Sequence, residues 1–348
     1  MKRHQESFPS HKCDVPDREN RRLGASMIRS LKNILILSAT LLITLGIIEL
    51  LLRRFMPIDY RPPPSELPNV ARDIIYQPSD IPGLDYELVP NIGTQAHGVW
   101  VKTNSYGMRG DEPDPPHDHR IVVLGDSFTF GFGIPQQEVF PVVLEEELKY
   151  QGQDYTVLNL AVPGYAIKDE VATLEHKGLS WKPETIVVGY VLNDPEVEPI
   201  QQIPSYFREP SWWQHSHVLR LMARAKKRIE ILSKGGGDYY QYLHSDRRSW
   251  ESVVEGFEDI KDLADQSHAR VILLIFPDLW HNWDTYPYLD LHERVSALGQ
   301  DRDFVVVDLF DHFSVYPPAD LRLSETDGHP NELAHTLVAR ALIETLAE

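Results

Sequence analysis

The sequence predicts an α/β protein: a three-layer α/β/α sandwich with a five-stranded parallel sheet, preceded by one transmembrane helix. Three observations point there. From residue 119 onward, five short β-branched apolar runs alternate with helix-period segments, as in a sheet buried on both faces. A 20-residue apolar stretch near the start matches the hydrocarbon thickness of a bilayer. And the run Ile121-Val-Val-Leu-Gly-Asp-Ser127 stops abruptly, as a strand does when it turns into a helix.

Taken in order, residues 1–32 are a basic tail carrying Lys2, Arg3, Lys12, Arg18, Arg21, Arg22, Arg29 and Lys32. Residues 33–52 are the transmembrane helix, about 30 Å long at 1.5 Å per residue. The excess of Lys and Arg before it favours a cytoplasmic amino end and a periplasmic or extracellular domain. A cleaved signal peptide is the rival reading. The length of the apolar stretch, the preceding region of about 30 residues and the lack of a small-x-small site speak against it. Glu49, near the outer end, can reach the headgroups or pair with Arg53 four residues on. Residues 53–84 read as a Pro-rich linker, with Pro62-Pro63-Pro64, and residues 85–348 as the main domain. A second proline cluster comprises Pro113, Pro115 and Pro116. Between the two clusters, residues 86–110 suit short strands, with turns at Pro90-Asn91 and Gly107.

The main-domain strands are expected at 120–124, 155–160, 185–191, 271–276 and 304–309. The helices are expected at 140–150, 168–179, 249–267, 289–298 and 331–346, the last opening at an Asn cap. Residues 196–246 break the rhythm as a helical insertion. Within it Leu219, Met222, Ala225, Ile229 and Leu232 lie roughly to one side of a helix, and Arg220, Arg224, Lys226, Lys227 and Arg228 enrich the other. Such a helix is a lid, a helix resting on anionic lipid, or an ordinary packed helix with a solvated basic side. Gly235-Gly236-Gly237 gives it a joint.

The totals narrow the function. The chain has 348 residues and a net charge of -18. Residues 1–54 hold 10 Lys/Arg against 5 Asp/Glu, leaving 24 against 47 for the rest. A face that acidic is not a nucleic-acid binder. Cys13 is the single cysteine and the histidines are not grouped at ligand spacing, so no metal and no other cofactor is expected.

Right-handed crossovers place every strand–helix loop at one sheet edge, where open α/β sheets bind ligands. Four loops there carry chemistry: Gly125-Asp126-Ser127, Asn159-Leu-Ala-Val-Pro-Gly164, Asn193-Asp194 and Glu325-Thr-Asp327-Gly-His329-Pro-Asn331. Each has a plain structural use as a turn or a helix cap. Together, in this order, they resemble the four sequence blocks of the SGNH (GDSL-type) hydrolase family. Thr103-Asn-Ser-Tyr-Gly-Met-Arg109-Gly is similar to a segment preceding the serine block in membrane-anchored members. The resemblance covers about residues 85–347 and implies the flavodoxin-like SGNH fold.

It also implies a division of labour. Ser127 would be the nucleophile, His329 the general base and Asp327 the residue that orients the imidazole. The oxyanion hole would be the Ser127 and Gly164 N–H groups and the Asn193 side chain. Family members commonly place the acid three residues before the histidine, where this chain has Thr326. Asp327 stands two before, with Glu325 as the fallback, and His335 is a rival base. The implied protein is a membrane-anchored serine esterase or acyl hydrolase acting on an acylated small molecule, lipid or glycan. The same triad would serve an O-acyltransferase on an extracytoplasmic glycan, or stand idle in a scaffold. Tyr206, Trp212, Trp213, Trp280 and Trp283 are candidates to wall the site or to fill the core.

Overall fold

The computed structural model describes residues 18–55, 75–113, 119–197 and 211–347. Most of the basic tail with Cys13, residues 56–74 of the linker, Pro115, Pro116 and Tyr206 lie outside them. In chain order the elements are α1 (Arg18–Phe55), the short strands β1 (Tyr76–Pro78), β2 (Tyr86–Leu88), β3 (Gly93–Ala96) and β4 (Val99–Lys102), then β5 (His119–Gly125), the single turn α2 (Ser127–Phe130) and α3 (Phe140–Tyr150). There follow β6 (Tyr155–Asn159), α4 (Ile167–His176), β7 (Thr185–Tyr190), α5 (His217–Lys234), α6 (Tyr239–Ser245), α7 (Arg247–Ser267) and β8 (Arg270–Ile275). The chain closes with α8 (Leu289–Gln300), β9 (Val305–Asp308), α9 (Leu309–Phe313), the hairpin β10 (Arg322–Ser324) and β11 (Asp327–Pro330), and α10 (Glu332–Leu346).

Two compact units divide the chain, residues 1–59 with 210–223 and residues 60–209 with 224–348. The first is dominated by α1. Within Ser26–Phe55 an 18-residue window reaches a mean hydropathy of 2.5, and the stretch is long and apolar enough to cross a membrane. The two threonines inside it return their hydroxyls to carbonyls four residues back, Thr40 to Ile36 and Thr44 to Thr40, each at 2.9 Å.

The second unit is built on a parallel sheet of order β6-β5-β7-β8-β9. The first strand of the sheet lies second from the edge, so the order reverses between β5 and β7. That reversal opens a crevice outside their carboxyl ends. β7 is buried at all six positions, as a central strand covered on both faces must be. Ile121 and Val123 of β5, with Ile272 and Leu274 of β8, pack under α3 and α10. Val122, Leu124, Leu273 and Ile275 pack on the opposite face under α4, α7 and α8. Each such side chain contributes roughly 1.5–3 kcal/mol on burial. The core therefore fixes the strand ends from both sides.

Two elements differ from the sequence expectation. The packed domain takes in residues upstream of 85, because β1 pairs with β2 and both Ile75 and Leu84 are buried. The surrounding prolines hide these few apolar residues, which pack with Phe130 and Tyr165. Second, Asp327–Pro330 is a strand rather than a loop opening the last helix, and it pairs irregularly with Arg322–Ser324. Asn331 then caps α10, its side chain accepting from the Ala334 N–H at 3.2 Å.

Candidate active site

The turn after β5 is shaped by Gly125, whose φ of 152° lies where glycine is favoured. A Cβ there would stand 2.2 Å from the Thr129 Oγ1, and one on Gly189 at the end of β7 only 2.1 Å from the same atom. Thr129 thus wedges the two strand ends, and both positions need glycine. Asp126 caps α2, accepting from the Phe128 N–H at 2.8 Å. It also accepts from the Asn193 side chain, and its Oδ2 lies 3.3 Å from the Ser127 Oγ. Burial raises the Asp126 pKa, and these donors together with His329 work against the rise.

Ser127 is buried at the start of α2, and its Oγ lies 2.9 Å from the His329 Nε2. The His329 Nδ1 lies 2.6 Å from Asp327 Oδ1, which also accepts from the His329 backbone N–H at 3.0 Å. The two-residue spacing follows from local structure. In a strand, residues i and i+2 share a face, so β11 presents Asp327 and His329 side by side. Burial alone would raise the Asp327 pKa, but the hydrogen bonds and charge of His329 outweigh it and hold the carboxylate below its usual range. The network assigns Nδ1 as donor to Asp327 and Nε2 as acceptor from Ser127.

The remaining expected residues are placed as follows. Gly164 sits in a left-handed turn at φ 85°, and its loop is tied to the nucleophile turn by the Val162 N–H donating to the Gly125 carbonyl at 3.2 Å. Asn193 lies in the loop after β7 against Asp126. Its neighbour Asp194 is fully buried and accepts from the Val191 N–H at 2.9 Å. Burial, aided by Glu170 and Asp126, pushes the Asp194 pKa well up. Glu325 is exposed. His335 is a packing residue: fully buried and stacked on Phe140, it accepts the Phe140 N–H at 3.1 Å, and burial lowers its pKa to about 3. Trp283 belongs to the core, donating to the Tyr316 carbonyl at 2.6 Å. Trp280 is at the site, because a Cβ on Gly328, between Asp327 and His329, would meet its indole at 2.4 Å. Trp212 and Trp213 lie in the first unit.

Three residues at the site escaped the sequence reading. Phe132 stacks on the His329 imidazole at 4.5 Å and 20°. His97 in turn lies 4.1 Å from the Phe132 ring and 3.0 Å from the Tyr76 hydroxyl. Burial, then the charges of Arg109 and His329, lower the His97 pKa to about 4. His97-Gly98, both at positive φ between β3 and β4, is the kind of pair a two-residue hairpin demands. That signal was available. Arg109 is the third: the resemblance singles out residues 103–110 but not the role of this side chain. Its buried guanidinium donates to the carbonyls of Phe130 at 2.6 Å, Gly131 at 2.5 Å and Ile134, and to Gln136 Oε1 at 3.2 Å. It therefore closes the loop that follows α2. Burial lowers its pKa to about 9, which leaves it a cation at neutral pH. Among the described residues no group of three or more His, Cys, Asp or Glu could hold a metal ion.

A 2-1-3-4-5 parallel sheet with a Ser–His–Asp hydrogen-bonded chain at its switch point defines an α/β fold of the SGNH hydrolase kind. Residues 123–337 match the model of the GDSL-like Lipase/Acylhydrolase family, and the chain belongs to that family. An arylesterase of Vibrio mimicus is 29% identical over 75 residues, a stretch covering 22% of this chain and 38% of that protein. The crystal structure of TesA superposes with a TM-score of 0.43 at 18% identity, covering 66% of this chain and 98% of TesA. Axe2, an acetylxylan esterase from Geobacillus stearothermophilus, gives 0.43 at 16% identity, covering 67% and 96%.

Proposed function

We propose that this protein is a membrane-anchored serine esterase or acyl hydrolase working outside the cytoplasm on an acylated small molecule, lipid or glycan. The observation that carries the reading is the unbroken chain from Ser127 Oγ through His329 to Asp327, at 2.9 and 2.6 Å. The Ser127 oxygen attacks the ester carbonyl as its proton passes to His329 Nε2. Asp327, held ionised, fixes the imidazole and stabilises its cation. The Ser127 and Gly164 N–H groups and one N–H of the Asn193 amide receive the oxyanion, while the second Asn193 N–H stays on Asp126. Each such donor is worth roughly 3 kcal/mol in the barrier. His329 then returns the proton to the leaving alcohol, and water releases the acyl group by the same path in reverse. α1 anchors the chain, and the basic residues before it keep the amino end in the cytoplasm.

The relative from Vibrio mimicus makes an aryl ester a reasonable first substrate. Ser127→Ala should abolish turnover of p-nitrophenyl acetate while leaving the melting temperature in place. Full activity in that variant would overturn the proposal.

A further inference from the structure

Helix α5 presents a surface with no part in the chemistry above. Stepping about 100° per residue, Val218, Leu221, Met222, Ala225, Ile229 and Leu232 fall in one stripe, whereas Leu219, expected on this side, falls beyond its edge. The stripe faces outward. Leu221 is 43% exposed, Met222 61%, Ile229 65% and Leu232 57%. Arg224 and Arg228 border it on one side and Lys226 on the other, all three exposed. A helix packed on a core turns such a stripe inward, so the ordinary packed helix with a solvated basic side is not what this segment forms.

The start of α5 is fixed to the end of the apolar span. Glu49 of α1 accepts from the Ser216 hydroxyl at 2.9 Å and from the N–H groups of His217 at 3.1 Å and Val218 at 2.9 Å. Arg53 holds Glu49 at 2.8 Å and the His215 carbonyl at 3.1 Å. A carboxylate at a helix N-terminus is favoured by the helix dipole. Here it ties the first turn of α5 to the last turns of the membrane-spanning helix. Trp212, 79% exposed, stands just before that turn, and tryptophan is a residue type enriched at membrane interfaces.

We propose that α5 lies in the surface of the membrane that α1 spans, its apolar stripe at the acyl-chain boundary and Arg224, Arg228 and Lys226 on anionic phospholipid headgroups. An apolar stripe bordered by cations is the form of an interfacial helix, and each basic side chain near an anionic surface favours the bound state about fivefold. The proposal rests on α1 being a membrane anchor.

The test uses the full chain in nanodiscs of phosphatidylcholine, with or without phosphatidylglycerol, on a Cys13→Ser background. An environment-sensitive fluorophore is attached through Ile229→Cys on the stripe or Glu230→Cys off it, and doxyl-labelled lipid serves as quencher. The expected result is at least about threefold stronger quenching at 229 than at 230. That difference should shrink in discs without phosphatidylglycerol and in Arg224→Glu/Arg228→Glu. Equal quenching at the two positions, in protein that stays in the disc, would overturn the proposal and leave the anchor standing. Protein recovered outside the discs would remove the anchor and the proposal with it. Turnover of p-nitrophenyl acetate should be unchanged in Arg224→Glu/Arg228→Glu; a change of more than about twofold would make α5 a lid and overturn its placement on lipid.

Discussion

Gly328 offers a sharp perturbation, because it sits between the two residues that must hold their geometry. In Gly328→Ala the new Cβ would lie 2.4 Å from the Trp280 Nε1, 2.7 Å from its Cε2 and 3.1 Å from its Cζ2. These atoms are the body of a rigid indole, not the end of a mobile chain. The indole is also backed by the Arg322 guanidinium, 5.0 Å from the ring centroid, and Arg322 is itself bonded to the Leu279 carbonyl at 3.3 Å. Either the tryptophan swings out or β11 shifts. Overpacking of this kind costs roughly 1–3 kcal/mol. A shift of about 1 Å in the imidazole costs on the order of a hundredfold in rate. The assay is kcat/KM on an aryl ester for Gly328→Ala, Trp280→Ala and the double variant. The single glycine change should lose at least about tenfold, and Trp280→Ala in the same chain should restore most of it, a coupling of roughly 1–3 kcal/mol. Additive effects in the double variant would refute the reasoning, since the clash would then lie elsewhere.

Asp327→Asn keeps the shape of the hairpin but removes the charge that fixes the tautomer, and kcat should fall by about a thousandfold or more with KM little changed; steady-state kinetics checks this. Arg109→Lys replaces a fork serving four oxygens by a point charge, so thermal melts should show a loss of about 3 kcal/mol and kcat should drop with it. His335 carries a pH signature. Its folded pKa, about 3, lies below the ordinary histidine value of 6.5, so the unfolded chain takes up a proton the fold refuses. That stability is full above pH 6.5 and is lost as pH falls towards 3, at about 1.4 kcal/mol per unit. His335→Gln, which keeps an acceptor for the Phe140 N–H, should flatten the acid side of the stability profile by that slope, measured by thermal melts across pH.

The parts of this fold that could be read in advance are those set by short-range pattern. The β-branched runs around Val122, Val187 and Leu273 give strands whose ends fall within two residues of expectation, because burial on both faces leaves continuous apolar text. The convergence of the Ser127, Gly164 and Asn193 loops follows from the handedness of crossovers, whereas His329 arrives on the separate β10–β11 hairpin, which that rule does not place. The Asp327–His329 spacing is one residue shorter than the family's common one, and the strand supplies the local reason it works, since a two-residue step puts both side chains on one face. Phe132 and Arg109 depend on contacts between segments distant in sequence, and no local period marks them; the His97-Gly98 pair marks a hairpin turn but not its contact with Phe132. The outward turn of the α5 stripe was hidden for a similar reason. Helical spacing tells which residues share a face, but not whether that face meets protein, water or lipid.

The central claim is that Ser127 is activated by His329, and the most direct measurement is covalent labelling by a fluorophosphonate, mapped by peptide mass spectrometry and timed in the native chain and in His329→Ala. An adduct on Ser127, forming at least about a thousandfold more slowly without the imidazole, is the expected result. An adduct on another residue, or a rate on Ser127 indifferent to His329, would contradict it.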